Sequence, residues 1–107
     1  MTKKREVERV FLSSKEQRTA GRAAPADVSL GIVIRRRRLA IGITQEQLGE
    51  QIGVSYQQAQ KYETGANRVS FSRLLPLAAA LNCSAADLVM EAEAELRAVS
   101  ANSEMTH

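Results

Sequence analysis

At 107 residues the chain has room for one modest domain with tails, too short to build a deep catalytic pocket easily. Its net charge is +3, and its single cysteine and single terminal histidine exclude an internal disulfide and any cysteine-rich zinc site. No apolar run approaches the roughly 20 residues that cross a bilayer, and the N-terminus lacks the apolar block of a secretory signal, so a soluble cytoplasmic chain with no membrane partner is expected.

The charges are unevenly placed. Residues 1–27 carry seven basic and four acidic side chains, residues 28–73 seven and three, and residues 74–107 one and five. A polyanion partner for the basic two-thirds accounts for this pattern, and so does a solubility pattern without a partner. Tryptophan is absent and aromatics are few, so the core must be aliphatic and alanine-rich, which favours packed helices.

The basic arm 1–27 closes on "TAGRAAPAD", a Gly- and Pro-containing stretch that reads as a boundary. Val7, Val10 and Phe11 fall at i, i+3, i+4, but one turn of apolar spacing cannot offset the entropy of ordering the arm, which is read as flexible. Two readings of its role stand: it follows a groove of a nucleic acid, or it docks on another protein such as a polymerase subunit.

From Ser29 onward four helix-start signals follow closely. "TQEQ" at 44–47 and "SYQQ" at 55–58 both have the capping-box form, and Ser70 and "SAAD" at 84–87 supply two further N-caps. Gly42, Gly53, Gly65 and Asn82 stand where the preceding helices should stop. The punctuation predicts five helices near 29–41, 45–52, 56–63, 71–81 and 85–99 and no strand. Apolar spacing turns Leu30, Ile34 and Ile41 inward from the first, Leu48 and Ile52 from the second, and Ala59 and Tyr62 from the third. Leu74, Leu77, Ala78 and Leu81 do so from the fourth, and Leu88, Val89, Ala92, Leu96 and Val99 from the fifth. A domain at 28–90 is expected, followed by an acidic helical extension and tail at 91–107. Pro76 should make the fourth helix start late or bend.

Only Gly53–Ser55 separate the second and third helices, and so tight a joint sets two short helices at a steep angle, as in a helix-turn-helix. With Ala59 and Tyr62 inward, Tyr56, Gln57, Gln60 and Lys61 share the outward face. An amide donates and accepts at once, as the major-groove edge of adenine requires, and lysine donates to the acceptors of guanine. These four are the candidate base-contacting residues. A solvated, glutamine-rich face is the competing reading.

The segment "RRRRLAIGITQEQLGEQIGVSYQQAQKYETGANRVSFSRLLPLAAALNCSAADLV" resembles the lambda-repressor-like, Cro-type helix-turn-helix domain of phage and bacterial regulators, the XRE family, over about residues 28–90. The resemblance implies an all-α, compact five-helix fold and a cytoplasmic, nucleoid-associated DNA-binding regulator. It implies that Gln45 binds phosphate and buttresses the third helix, and that Tyr56, Gln57 and Lys61 meet bases with Gln60 at their edge. Ser55 caps the recognition helix beside a phosphate, and Asn67 and Arg68 match a backbone-clamping loop.

Four consecutive helical positions, Arg35 to Arg38, point in four directions and cannot act as one surface. Arg38 lies near the Ile34 and Ile41 stripe, where a guanidinium needs a carboxylate, and in the family this arginine pairs with the glutamate that is here Glu63. Arg35, Arg36 and Arg37 are left solvated or phosphate-facing. Cys83 falls where the family has a small apolar residue and is read as a buried thiol.

Taken together, these features describe a transcriptional regulator, most simply a repressor, expected to insert residues 55–63 into double-stranded DNA as a homodimer, with the fifth helix as the candidate dimer contact. The alternative is a helical adaptor whose arm or C-terminal helix holds a protein partner. No nucleophile with a neighbouring base and no phosphate-binding glycine loop is present, so no enzyme, cofactor or metal site is expected.

Overall fold

The computed structural model describes residues 23–105; the expectations for Val7, Val10, Phe11 and the rest of the arm before residue 23, and His107, lie outside the described residues. Five helices follow in order: α1 (Pro25–Ile41), α2 (Gln45–Ile52), α3 (Tyr56–Thr64), α4 (Phe71–Ala80) and α5 (Ala85–Met105). Among the described residues there is no strand.

α1 begins four residues before the expected position. Ala24 is extended, and Pro25 takes the first helical position, where its preset φ suits the helix and its missing N–H would have had no partner. The proline that read as a boundary marker is a helix starter. Asp27 lies in the first turn, where the helix dipole favours an anion.

α1 buries Val33 and Ile34 completely. Ile41, expected inward, is 37% exposed. The helix ends beside it at Gly42, and Ile43, beyond the turn, packs against the core instead. The inward position one turn after Ile34 is taken by Arg38, 6% exposed.

α2 starts on a complete capping box. Thr44 Oγ1 accepts from the Gln47 N–H at 3.0 Å, and the Gln47 side chain accepts from the Thr44 N–H at 2.8 Å. Leu48 and Ile52 face inward. A Cβ on Gly49 would stand 2.8 Å from the Val54 carbonyl oxygen, so the absence of a side chain there lets the chain fold back at once into α3.

α3 is capped by Ser55 Oγ, which accepts from the Gln58 N–H at 3.1 Å. The reciprocal half of the expected box is not made. The Gln58 amide donates forward to Tyr62 Oη at 2.7 Å, because Tyr62 is buried and its hydroxyl needs a partner.

α4 is capped by Ser70 and runs through Pro76 from Phe71, which rules out a late start. The carbonyl that proline leaves without its helical N–H belongs to Ser72, in the exposed first turn. Leu74, Leu77, Ala78 and Leu81 are buried as the spacing predicts. α4 and α5 meet at 99° across Asn82, whose φ is 60°. At the start of α5 the Asp87 carboxylate accepts from the Ser84 N–H, and Ser84 Oγ accepts from the Asp87 N–H.

α5 extends to Met105, beyond the expected end near 99. Its inward line is Leu88 and Ala92, continued by half-buried Leu96. Val89, read as inward, lies on the flank and is exposed, and Val99, on the inward line by helical spacing, is exposed as well, toward the far end of the helix. The buried stripe on so long a helix is both narrower and shorter than the apolar stripe of its sequence.

α1 packs on α3 and α5, α2 on α3 and α4, and α4 on α5. Where α1 crosses the end of α3 the backbones nearly touch: a Cβ on Gly31 would lie 2.3 Å from the Glu63 carbonyl oxygen and 2.6 Å from that of Tyr62. Two turns further on, Arg38 Nε donates to Glu63 Oε2 at 2.5 Å and Nη2 to Oε1 at 3.1 Å. Both residues are 6% exposed. Arg38 Nη1 donates to the Ile43 carbonyl at 2.8 Å, and the Gln45 amide donates to Glu63 Oε1 at 2.9 Å. This network ties α1, the α1–α2 turn, α2 and the end of α3 to one carboxylate. Among the described residues no buried side-chain polar atom is without a partner.

Two stability outcomes follow from this crossing. Gly31→Ala should lower stability by about 1–3 kcal/mol through overpacking, although alanine gains about 1 kcal/mol over glycine in helix propensity; urea denaturation giving a more stable variant would contradict the close approach. Arg38→Met strands the Glu63 carboxylate and should cost about 3–5 kcal/mol. Adding Glu63→Leu should recover much of that loss, and strict additivity of the two changes would show that the residues act separately.

Candidate nucleic-acid interface

The inward side of α3 is set by Ala59, Tyr62 and Glu63, all buried. Helical geometry then turns Tyr56, Gln57, Gln60 and Lys61 outward, and all four are exposed. Gln58 is half-buried and committed to Tyr62, so the glutamines of the segment divide into two exposed ones and one structural one. Tyr56 and Gln60 share a broad, open groove of about 660 Å³ with Arg35, Gln45 and Glu46. So open a depression does not enclose a small molecule.

Gln45, at the first position of α2, touches that groove while its amide holds Glu63. Ser55 is exposed at the N-terminus of α3, its hydroxyl occupied by the cap. Asn67 follows the helix and is tied back to it, its N–H donating to the Lys61 carbonyl at 3.2 Å. Arg68 is largely exposed and lies 3.3 Å from the Asp27 carboxylate. Tyr56, Gln60 and Gln45 are therefore brought into one groove, Gln57 and Lys61 lie on the same outward helix face, and Asn67 and Arg68 lie in the loop after α3.

Three arginines have partners that the sequence reading missed. Arg36 Nη2 donates to Glu95 Oε1 at 2.5 Å, and Arg37 Nε donates to Glu91 Oε2 at 2.9 Å. Two of the residues read as solvated or phosphate-facing are instead bonded to α5, because α5 lies along α1. The glutamates at 91 and 95, four apart, were the available signal. The bond to Glu91 holds the Arg37 guanidinium firmly protonated. Arg73 Nη1 donates to the Ile52 carbonyl at 2.6 Å, capping a helix that has no basic residue in its own last turn.

Cys83 is half-buried, and burial pushes its thiol up, away from the reactive thiolate. Among the described residues no group of His, Cys, Asp and Glu could hold a metal ion, and no single helix is long and apolar enough to cross a membrane.

Residues 34–88 match the helix-turn-helix family model. Over 58 residues, 54% of this chain and 42% of the relative, the sequence is 50% identical to an uncharacterized HTH-type transcriptional regulator of Sinorhizobium medicae (strain WSM419). It is 53% identical over 55 residues, 51% of each chain, to an uncharacterized transcriptional regulator in the ATPase CF(0) region of Rhodospirillum rubrum. The chain thus spans about half the length of these relatives or less. In three dimensions it is similar to the clp gene regulator ClgR from Corynebacterium glutamicum, with a TM-score of 0.73 and 28% identity over 76% of this chain and 86% of that one. With α2 and α3 forming the two arms of the motif, the chain belongs to the XRE-type helix-turn-helix family of DNA-binding transcriptional regulators, which are not enzymes.

Proposed function

We propose that this regulator recognises a specific DNA site by laying α3 in the major groove and acts, in the cytoplasm on the nucleoid, as a repressor that occludes a promoter. The carrying observation is the division of α3: Ala59, Tyr62 and Glu63 are locked inside while Tyr56, Gln57, Gln60 and Lys61 are free outside. Fixed backbone and unoccupied donors and acceptors are what base reading needs. Gln57 and Gln60 offer paired donor and acceptor to adenine, Lys61 donates to guanine, and Tyr56 meets a thymine methyl or a phosphate. Gln45, Ser55, Asn67 and Arg68 hold the backbone and set the register. Arg68 would exchange or share its Asp27 partner with phosphate.

Dimerisation on a two-fold site with half-sites about 34–36 Å apart is part of this reading. It is supported by the exposed Val89 and Met90 on α5, adjacent apolar side chains that a second α5 would cover. The same exposed residues favour a second reading, an adaptor whose C-terminal helix binds another protein and for which Gln57 and Lys61 have no base to read.

Selection of bound sequences from random duplex DNA separates the two. Wild type should enrich a two-fold motif, and Gln57→Ala and Lys61→Ala should each relax preference at particular positions by about 1–3 kcal/mol; enrichment of no motif would favour the adaptor. For the dimer, Met90→Glu should shift sedimentation toward monomer and weaken binding to the two-fold site while leaving the fold intact, since Met90 is exposed. An unchanged sedimentation profile would remove α5 from the interface.

A further inference from the structure

The arginine run contains four guanidiniums in three environments. Arg38 is buried on Glu63. Arg36 and Arg37 turn to α5, where Glu95 and Glu91 neutralise them. Arg35 has neither partner: its side chain is 58% exposed, and it stands 3.9 Å from Glu63, a carboxylate already accepting two bonds from Arg38 and one from Gln45. The single charge of Glu63 is matched by Arg38, so Arg35 is left with an uncompensated positive charge.

Its position gives that charge a direction. Arg35 lines the same groove as Gln45, Tyr56 and Gln60, beside the start of the recognition helix, whereas Arg36 and Arg37 lie on the α5 side of α1. Glu46, exposed and also at this groove, would repel an anion, so an incoming backbone is held there by Arg35 rather than by the groove as a whole. A guanidinium presents a fixed fork of donors matched to two phosphate oxygens.

We propose that Arg35 is a phosphate-contacting residue of the DNA interface, the only member of the run that reaches the backbone, and that Glu91 and Glu95 withhold its two neighbours from DNA. The inference rests on the reading of α3 as the element that enters the groove. Arg35 then clamps the strand passing the N-terminus of α3, and as a phosphate contact it adds affinity without sequence preference.

The test is the salt dependence of binding of the full chain to a duplex carrying the selected motif and to an unrelated duplex. Each phosphate neutralised contributes about 0.9 to the slope of log K against log salt concentration. Arg35→Gln should reduce the slope by about 0.9 per bound protomer, and so by about twice that for a dimer on the two-fold motif, with base preference unchanged, and Arg35→Lys should keep most of it. Arg36→Gln removes the same formal charge and should leave the slope as in wild type. An unchanged slope in Arg35→Gln, or an equal fall in Arg36→Gln, would overturn the proposal. Melting curves check the fold, which Arg38 and Gln45 continue to satisfy at Glu63. If Gln57→Ala and Lys61→Ala alter no base preference, the base-reading account fails; the Arg35 slope, read on the unrelated duplex, still decides this proposal by itself.

Discussion

The buried carboxylate of Glu63 is the point on which the rest of the structure turns. It accepts from Arg38 on α1 and Gln45 on α2 while itself belonging to α3. Three helices are therefore referenced to one pair of oxygen atoms. Such a network contributes less through net energy than through geometry: any other placement of α3 strands a buried charge, at about 3–5 kcal/mol. Gly31 makes this possible, since only a bare backbone lets α1 come so near the last turn of α3. The outward residues of α3 inherit the precision of that inner anchor.

Much of the fold was legible because its signals are local. Thr44 and Gln47, Ser55, Ser70 and Ser84 mark starts that depend on a few neighbouring atoms, and α2 is found where its capping box puts it. Inward residues of α2 and α4 follow from 3.6-residue spacing on short helices with one buried face. Where the reading failed, the missing information was tertiary. Ile41 lost its place to Arg38 and Ile43, Val89 and Val99 depend on how closely α5 lies against α1, and Gln58 abandoned its cap for a buried tyrosine hydroxyl. The start of α1 was placed late because Pro25, inside a stretch read as a boundary, already opens the helix.

The candidate site was legible to a different degree. The exposed set on α3 needs only the identity of its inward residues, so facing alone gives it. The partners of Arg36, Arg37 and Arg73 could not be reached that way, because each bond spans 21 or more residues of sequence. These bonds change what the basic composition means. Of the arginines at 35–38, three are spent on the protein itself, so the charge facing a polyanion is smaller and more localised than the sequence total implies.

In the proposed function, side chains on the outer face of α3 each read particular base pairs while a fixed scaffold holds them in register. A double-mutant cycle between protein and DNA tests it most directly: affinities of wild type and Gln57→Ala for the selected duplex and for duplexes changed at one base pair at a time. Base reading by Gln57 gives a coupling of about 1–3 kcal/mol at one base pair per half-site and near zero elsewhere. A loss of affinity that is the same for every base pair would contradict it, leaving α3 as a helix that touches DNA without reading it.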